Sequence, residues 1–215
     1  FVKPDSFKPW LDVTFDGSHI LNRDIVSSKP HIVVKLKDDS RFLGLKDTAG
    51  LKIKIQYPSI NGLFGPLVEY KPQSDSVKFT PADLTKAENA ATIDLYPKFM
   101  QDGEYELYVS GTDKSGNKAG ELEYKVAFQV INKPMISNML NYPNPFTSST
   151  AFVFTITGYE VPQNIRIQIL TITGKVVREI TKSELGPLRI GRNITEYKWD
   201  GTDQFGNKLA NGVYL

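Results

Sequence analysis

At 215 residues with 40% hydrophobic side chains, the chain has the length of two domains of about a hundred residues or of one large sandwich, and the composition of a folded globular protein. A net charge of +2, from 26 basic and 24 acidic residues, supplies no broad field for nucleic acid or an anionic membrane surface. The lack of cysteine excludes disulfides, thiolate metal sites and cysteine nucleophiles, and no apolar run approaches the ~20 residues that span a bilayer.

Period-two alternation dominates from the start of the chain, and helical spacing is scarce. A first strand is expected around Leu11, Val13 and Phe15, followed by Asp16-Gly17 and Asn22-Arg23-Asp24 as turns. Ile32, Val34 and Leu36 alternate with Val33, Lys35 and Lys37. Leu51, Ile53, Ile55 and Tyr57 point away from Lys52, Lys54 and Gln56, as in a half-buried antiparallel strand. After an Asn61-Gly62 turn come strands near Val77 and Phe79 and at Ile93 and Leu95. Asp102-Gly103 then leads to Tyr105, Leu107 and Val109, and Ser115-Gly116-Asn117 leads to Tyr124, Val126, Phe128 and Val130. Seven short strands before residue 131 are the number of an immunoglobulin-like sandwich.

A boundary is expected within residues 131–138, where Pro134 interrupts any continuous ladder, giving domains 1–132 and 133–215. A linker of this brevity, free of Gly/Ser tracts, implies a restricted relative orientation. Pro143 and Pro145 force Tyr142 and Asn144 into extended conformations. The second domain then shows strands at Phe152, Phe154 and Ile156, at Ile165, Ile167 and Ile169, at Val176 and Ile180 after a Thr173-Gly174 turn, and at Tyr197 and Trp199. A last strand begins at Val213 and is cut off at Leu215; with Phe1 in first place, the chain is expected to be a fragment or a processed product.

Residues 111–118 and 201–208 match at six of eight positions: Gly-Thr-Asp-Lys-Ser-Gly-Asn-Lys against Gly-Thr-Asp-Gln-Phe-Gly-Asn-Lys. Turn chemistry accounts for the echo, with Asp binding backbone amides and Gly-Asn tolerating left-handed dihedrals. The alternative is a weak calcium loop on Asp113, Ser115 and Asn117, or on Asp203 with Asn207, lacking the further carboxylates of a strong site.

Catalytic constellations are scarce. His19 lies beside a turn and His31 at a strand start, neither in a nucleophile elbow or a metal-ligand spacing, so both read as structural or solvent-facing. Asp38-Asp39 reads as a turn cap, because adjacency alone does not give the carboxyl separation of a hydrolase. No glycine-rich phosphate loop opens a helix. Lys35, Lys37, Lys52 and Lys54 would form a positive strip if their strands align, or simply solvate sheet faces. Trp10, Trp199, Tyr142 and Phe146 read first as packing residues and second as a sugar-stacking set.

Three pieces, Asn141-Tyr142-Pro143-Asn144-Pro145-Phe146, residues 167–178 and Trp199-Asp200-Gly201 through Gly212-Val213-Tyr214, occur in a telling order. Through them the second domain resembles the immunoglobulin-like domain of flagellar hook-capping proteins and the related C-terminal modules of large proteins exported by the type IX system of Bacteroidota. Residues 1–130 resemble, less specifically, the β-sandwich that precedes such modules, including those of relatives of gingipain-type cysteine peptidases. The resemblance implies a secreted or cell-surface location, delivery or attachment through the C-terminal region, protein partners in the secretion or surface machinery, and no catalysis in the module itself. The resulting expectation is an all-β chain of two tandem immunoglobulin-like β-sandwich domains, a non-catalytic accessory region without cofactor, metal or catalytic residues. The alternatives are a carbohydrate- or glycoprotein-binding module and the tail of a peptidase whose catalytic domain lies elsewhere.

Overall fold

The computed structural model describes residues 5–59, 65–71, 74–86 and 88–215, and the expected Asn61-Gly62 turn lies outside them. The chain is almost wholly β and divides into two compact units, Phe1–Asn132 and Lys133–Leu215.

In the first unit, β1 (Trp10–Phe15), β3 (Ile32–Asp38), β7 (Asn89–Leu95) and β6 (Val77–Thr80) form one antiparallel sheet in the order β1-β3-β7-β6. The other sheet runs β2-β9-β8-β4-β5, from β2 (Asp24–Val26), β9 (Tyr124–Val130), β8 (Gly103–Gly111), β4 (Leu51–Gln56) and β5 (Leu67–Glu69). β2 pairs parallel with β9, and the remaining pairings are antiparallel. This is immunoglobulin wiring, with the first strand shared between the two sheets.

The alternation read from sequence becomes burial. β3 and β7 alternate buried and half-buried residues along their length, and β8 does so from Tyr105 onward. Their inward faces join one core with Phe15, Ile53, Ile55, Phe99 and Phe128. An aromatic cluster lies within this core: the Tyr105 ring lies 4.5 Å from Phe99 and 5.5 Å from Phe128. The Tyr105 hydroxyl donates to the Gln101 carbonyl at 2.8 Å, a tyrosine corner that ties the start of β8 to the chain four residues upstream. Burial pushes this phenol up to about 12, with the nearby Tyr57 adding to the shift. β9 departs from alternation at Ala127, which is also buried. The turn at 22–23 covers it: Asn22 Oδ1 accepts from the Ala127 amide, and the Arg23 amide donates to its carbonyl.

In the second unit, β10 (Met135–Tyr142), β11 (Thr150–Thr157) and β14 (Gly191–Trp199) form one sheet, and β12 (Arg166–Leu170) pairs with β13 (Val176–Thr181). Residues 214–215 join the free edge of β12 through a Thr171–Tyr214 bridge and reciprocal 2.8 Å bonds between the Leu170 and Leu215 backbones. Phe154, Ile156, Ile180 and Trp199 are among the core residues. The Trp199 indole N–H donates to the Thr202 carbonyl at 2.8 Å.

Besides the short β2 and β5, which bring the first unit to nine described strands against the seven expected, the sequence reading misses three features of the second unit. β10 starts at Met135, so half of the expected boundary segment is strand, because Pro134 precedes the ladder instead of interrupting it. A four-residue helix, α1 (Lys182–Leu185), plugs the core with Leu185, while Glu184 accepts the Thr181 amide at 2.8 Å. β14 carries a bulge, with Ala151 facing Lys198 but Val153 facing Ile194. The Thr195 hydroxyl repairs that ladder by accepting the Phe152 amide at 3.0 Å and donating to the Tyr197 carbonyl at 2.8 Å.

Candidate functional site

The surface best built for contact lies in the second unit. A groove of about 500 Å3 runs between β10 and β12, lined by Met139, Leu140, Phe146, Ile167, Ile169 and Val213, with Trp199 at its base. Phe146 follows Pro145 and packs against Trp199, ring centroids 5.5 Å apart, which fixes one wall. The opposite wall is the edge of β12. Tyr214 and Leu215 pair with Thr171 and Leu170 along this edge. The other rim is β10, an edge strand with Met135, Ile136, Met139, Leu140 and Tyr142 all exposed. This eight-residue edge has no lysine or in-strand proline, and its protection against strand addition is a bulge between Ser137 and Leu140, where Asn138 holds φ of +53°.

The residues singled out from sequence scatter over both units. His19 Nε2 lies 2.6 Å from Asp12 Oδ1, and His31 Nε2 lies 2.8 Å from Asp94 Oδ1, with the His31 ring stacked on Tyr96. Neither imidazole meets a hydroxyl among the described residues, so no nucleophile–base pair is assembled at either. The positive strip does not form. Lys35 and Lys37 lie on β3 and Lys52 and Lys54 on β4, strands of opposite sheets, and Lys35 and Lys37 both reach Glu88, at 3.1 and 2.9 Å.

The four aromatic candidates divide. Trp199 is 5% exposed and Phe146 packs on it, as a core reading requires, whereas Trp10 is 56% and Tyr142 68% exposed, which overturns that reading for these two. Alternation along β1 places Trp10 on the face of Asp12 and Thr14, opposite the buried Val13 and Phe15.

The repeated eight residues fold into the same turn twice. Asp113 Oδ1 accepts the amides of Ser115 and Asn117, each at 2.8 Å; Asp203 Oδ1 accepts those of Phe205 and Asn207, at 2.9 and 2.8 Å. The second carboxylate oxygen takes the Asn side-chain amide in both, and Gly116 and Gly206 hold φ of +90° and +84°. N–H donors thus surround these carboxylates, the arrangement of a turn and the reverse of an oxygen cage.

Asp38 is not a solvent-facing cap. It is the last residue of β3, 4% exposed, and burial followed by the nearby Asp113 and Asp5 charges raises its pKa, with the Asp39 amide offsetting part of the rise. Sequence reading paired it only with its neighbour, since nothing in the one-dimensional pattern brings Asp5 to it across 33 positions.

Fold and surface define an all-β, sandwich-type protein with one open apolar edge. No protein-family model and no curated protein sequence matches the chain. Among solved structures it is similar to dimeric latent PorU from Porphyromonas gingivalis, at 19% identity and a TM-score of 0.41; the match covers 100% of this chain and 19% of that one. The chain thus spans about a fifth of the length of that protein.

Proposed function

We propose that this chain is a non-catalytic accessory region of a larger secreted or cell-surface protein, in which the second unit docks an extended strand of a protein partner and the first serves as a spacer. The observation that carries this reading is the edge strand β10, whose exposed Met139 and Leu140 border the apolar groove. Together they offer main-chain bonds for affinity and pockets for alternate side chains, the two components of strand addition. Type IX export or surface attachment, implied by the motif resemblance, would use such a docking step.

The test is display of a reporter fused to residues 1–215 in a type IX-competent bacterium. Surface display is expected with the native edge and is lost when Met139→Glu and Leu140→Lys place charges in the groove. Retention of display by that double variant would reject the docking role. Hydrolysis of peptide or glycoside substrates by the purified chain, abolished by His19→Ala or His31→Ala, would reject the non-catalytic reading.

A second reading, glycan binding, has one observation in its favour: Trp10 presents its indole to solvent at an edge. Glycan-array binding that disappears in Trp10→Ala would support it.

A further inference from the structure

We propose that Asp5, Asp38 and Asp39 in the first unit form a calcium site. One oxygen from each carboxylate lies within 4.8 Å of the others. Two ligands of a single calcium ion, each 2.3–2.6 Å from it, stand at most about 5 Å apart, so the three oxygens fit one coordination sphere. The donor set is all carboxylate, without histidine or cysteine, which selects a hard cation over zinc. Calcium, tolerant of irregular geometry, suits ligands from a strand end and a loop better than magnesium, which demands near-ideal octahedral order.

The second observation is a buried oxygen with nothing to satisfy it. Asp38 is 4% exposed, and its Oδ1 has no hydrogen-bond partner. The Asp39 amide acts on the carboxylate, and the Asn89 side-chain amide stands 3.4 Å from its Oδ2. That amide has two hydrogens, and closer acceptors take them: the Ser40 carbonyl at 2.9 Å and the Leu43 carbonyl at 3.0 Å. No described lysine or arginine pairs with Asp38; Lys37 and Lys35 go to Glu88 and Lys114 goes to Asp47. A buried carboxylate with one oxygen unsatisfied and no counter-ion among the described residues, facing two more carboxylates, is costly unless a cation joins them or a proton neutralises it.

The site also has a structural role. Asp5 precedes β1 and is already held by the repeated turn, through Ser115 Oγ to Asp5 Oδ2 and Asn117 Nδ2 to the Asp5 carbonyl, both at 3.3 Å. An ion shared with Asp38 and Asp39 would fasten this leading segment to the end of β3. With three protein carboxylates and water completing the sphere, affinity falls in the range of extracellular calcium modules, a Kd of about 10⁻⁴–10⁻³ M.

The test is thermal unfolding of the full chain at neutral pH in chelator and in millimolar calcium, with calcium titration by calorimetry. The wild type is expected to bind one calcium with a rise in Tm. Asp38→Asn is expected to unfold at a higher Tm than wild type in chelator, because the unsatisfied charge is gone, and to lose the calcium shift. Asp39→Asn, at an exposed position, keeps the chelator Tm and weakens calcium binding at least tenfold. A wild type that takes up no calcium at these concentrations, or an Asp38→Asn variant with an undiminished shift, overturns the proposal; the first result would assign the site to a protonated Asp38 hydrogen-bonded to its neighbours.

Discussion

The two units share turn chemistry and differ in how their sheets end. In the first, β9 lies between β2 and β8, and three of the four strands bounding its sheets, β2, β5 and β6, have three or four residues. In the second, the eight-residue β10 is an edge with exposed apolar side chains, and the apolar groove lies beside it. The same eight-residue turn joins β8 to β9 within one sheet of the first unit. In the second it leads from β14 to residues 214–215, which pair with β12 in the other sheet. Each unit also has a tyrosine corner four residues long, Tyr105 to Gln101 and Tyr214 to Ala210, both at 2.8 Å. Local devices of this kind shape corners without determining what a domain does. The strand that comes last in a sheet determines whether its edge is shielded or available.

Substitutions at equivalent places separate the units. The largest effect is expected from Trp199→Ala, which removes the ring against which Phe146 and Tyr214 pack and costs about 3–5 kcal/mol. Hydrogen exchange across β11 and β14 should record the loss; a change below about 1 kcal/mol would show that this indole does not organise the core. Asp113→Ala comes next, at about 1.5–3 kcal/mol, since it strips a buried carboxylate from three hydrogen bonds. Asp203→Ala, in the exposed copy of the turn, should cost less in the same denaturant titration, and equal losses would mean that burial does not distinguish the copies. Tyr105→Phe should cost about 0.5–1.5 kcal/mol by leaving the Gln101 carbonyl without its donor, with Tyr214→Phe at the lower end of that range because its bond is solvent-exposed.

The smallest effect concerns pH. Without calcium, Asp38 holds a proton more tightly folded than unfolded, so its contribution favours folding in acid and is lost as pH rises above its ordinary 3.8 through the folded pKa. Glu184 in the second unit behaves oppositely. Hydrogen bonds from the Thr181 amide and hydroxyl, with help from Arg178, lower its pKa, and its contribution is lost as pH falls. Subtracting Asp38→Asn and Glu184→Gln stability profiles from that of the wild type should give curves of opposite slope in the acid range, and matching slopes would refute the assignment.

Much of this architecture is legible in the sequence, because strands covered on one face announce themselves by alternation, as in Ile32–Asp38 and Leu51–Gln56. The repeated turns are equally readable, since Asp and Gly are required at fixed offsets. β10 is not, because its apolar residues face solvent and groove without alternating burial. The two strands β2 and β5 are too short to show a period. Of the groove residues, Phe146, Ile167, Ile169 and Trp199 appear in sequence only as ordinary packing positions. Asp38 likewise looks like part of a surface turn until folding places Asp5 and Asp113 beside it.

Each unit contains one tryptophan, and the two occupy opposite surroundings, Trp10 56% and Trp199 5% exposed. Indole emission moves to longer wavelength on contact with water, so the native spectrum combines a red-shifted and a blue-shifted component. Melting of the second unit displaces the blue component, while melting of the first leaves emission wavelength nearly unchanged. The two halves therefore come with distinguishable intrinsic optical reporters, and their order of unfolding can be followed without attaching a dye.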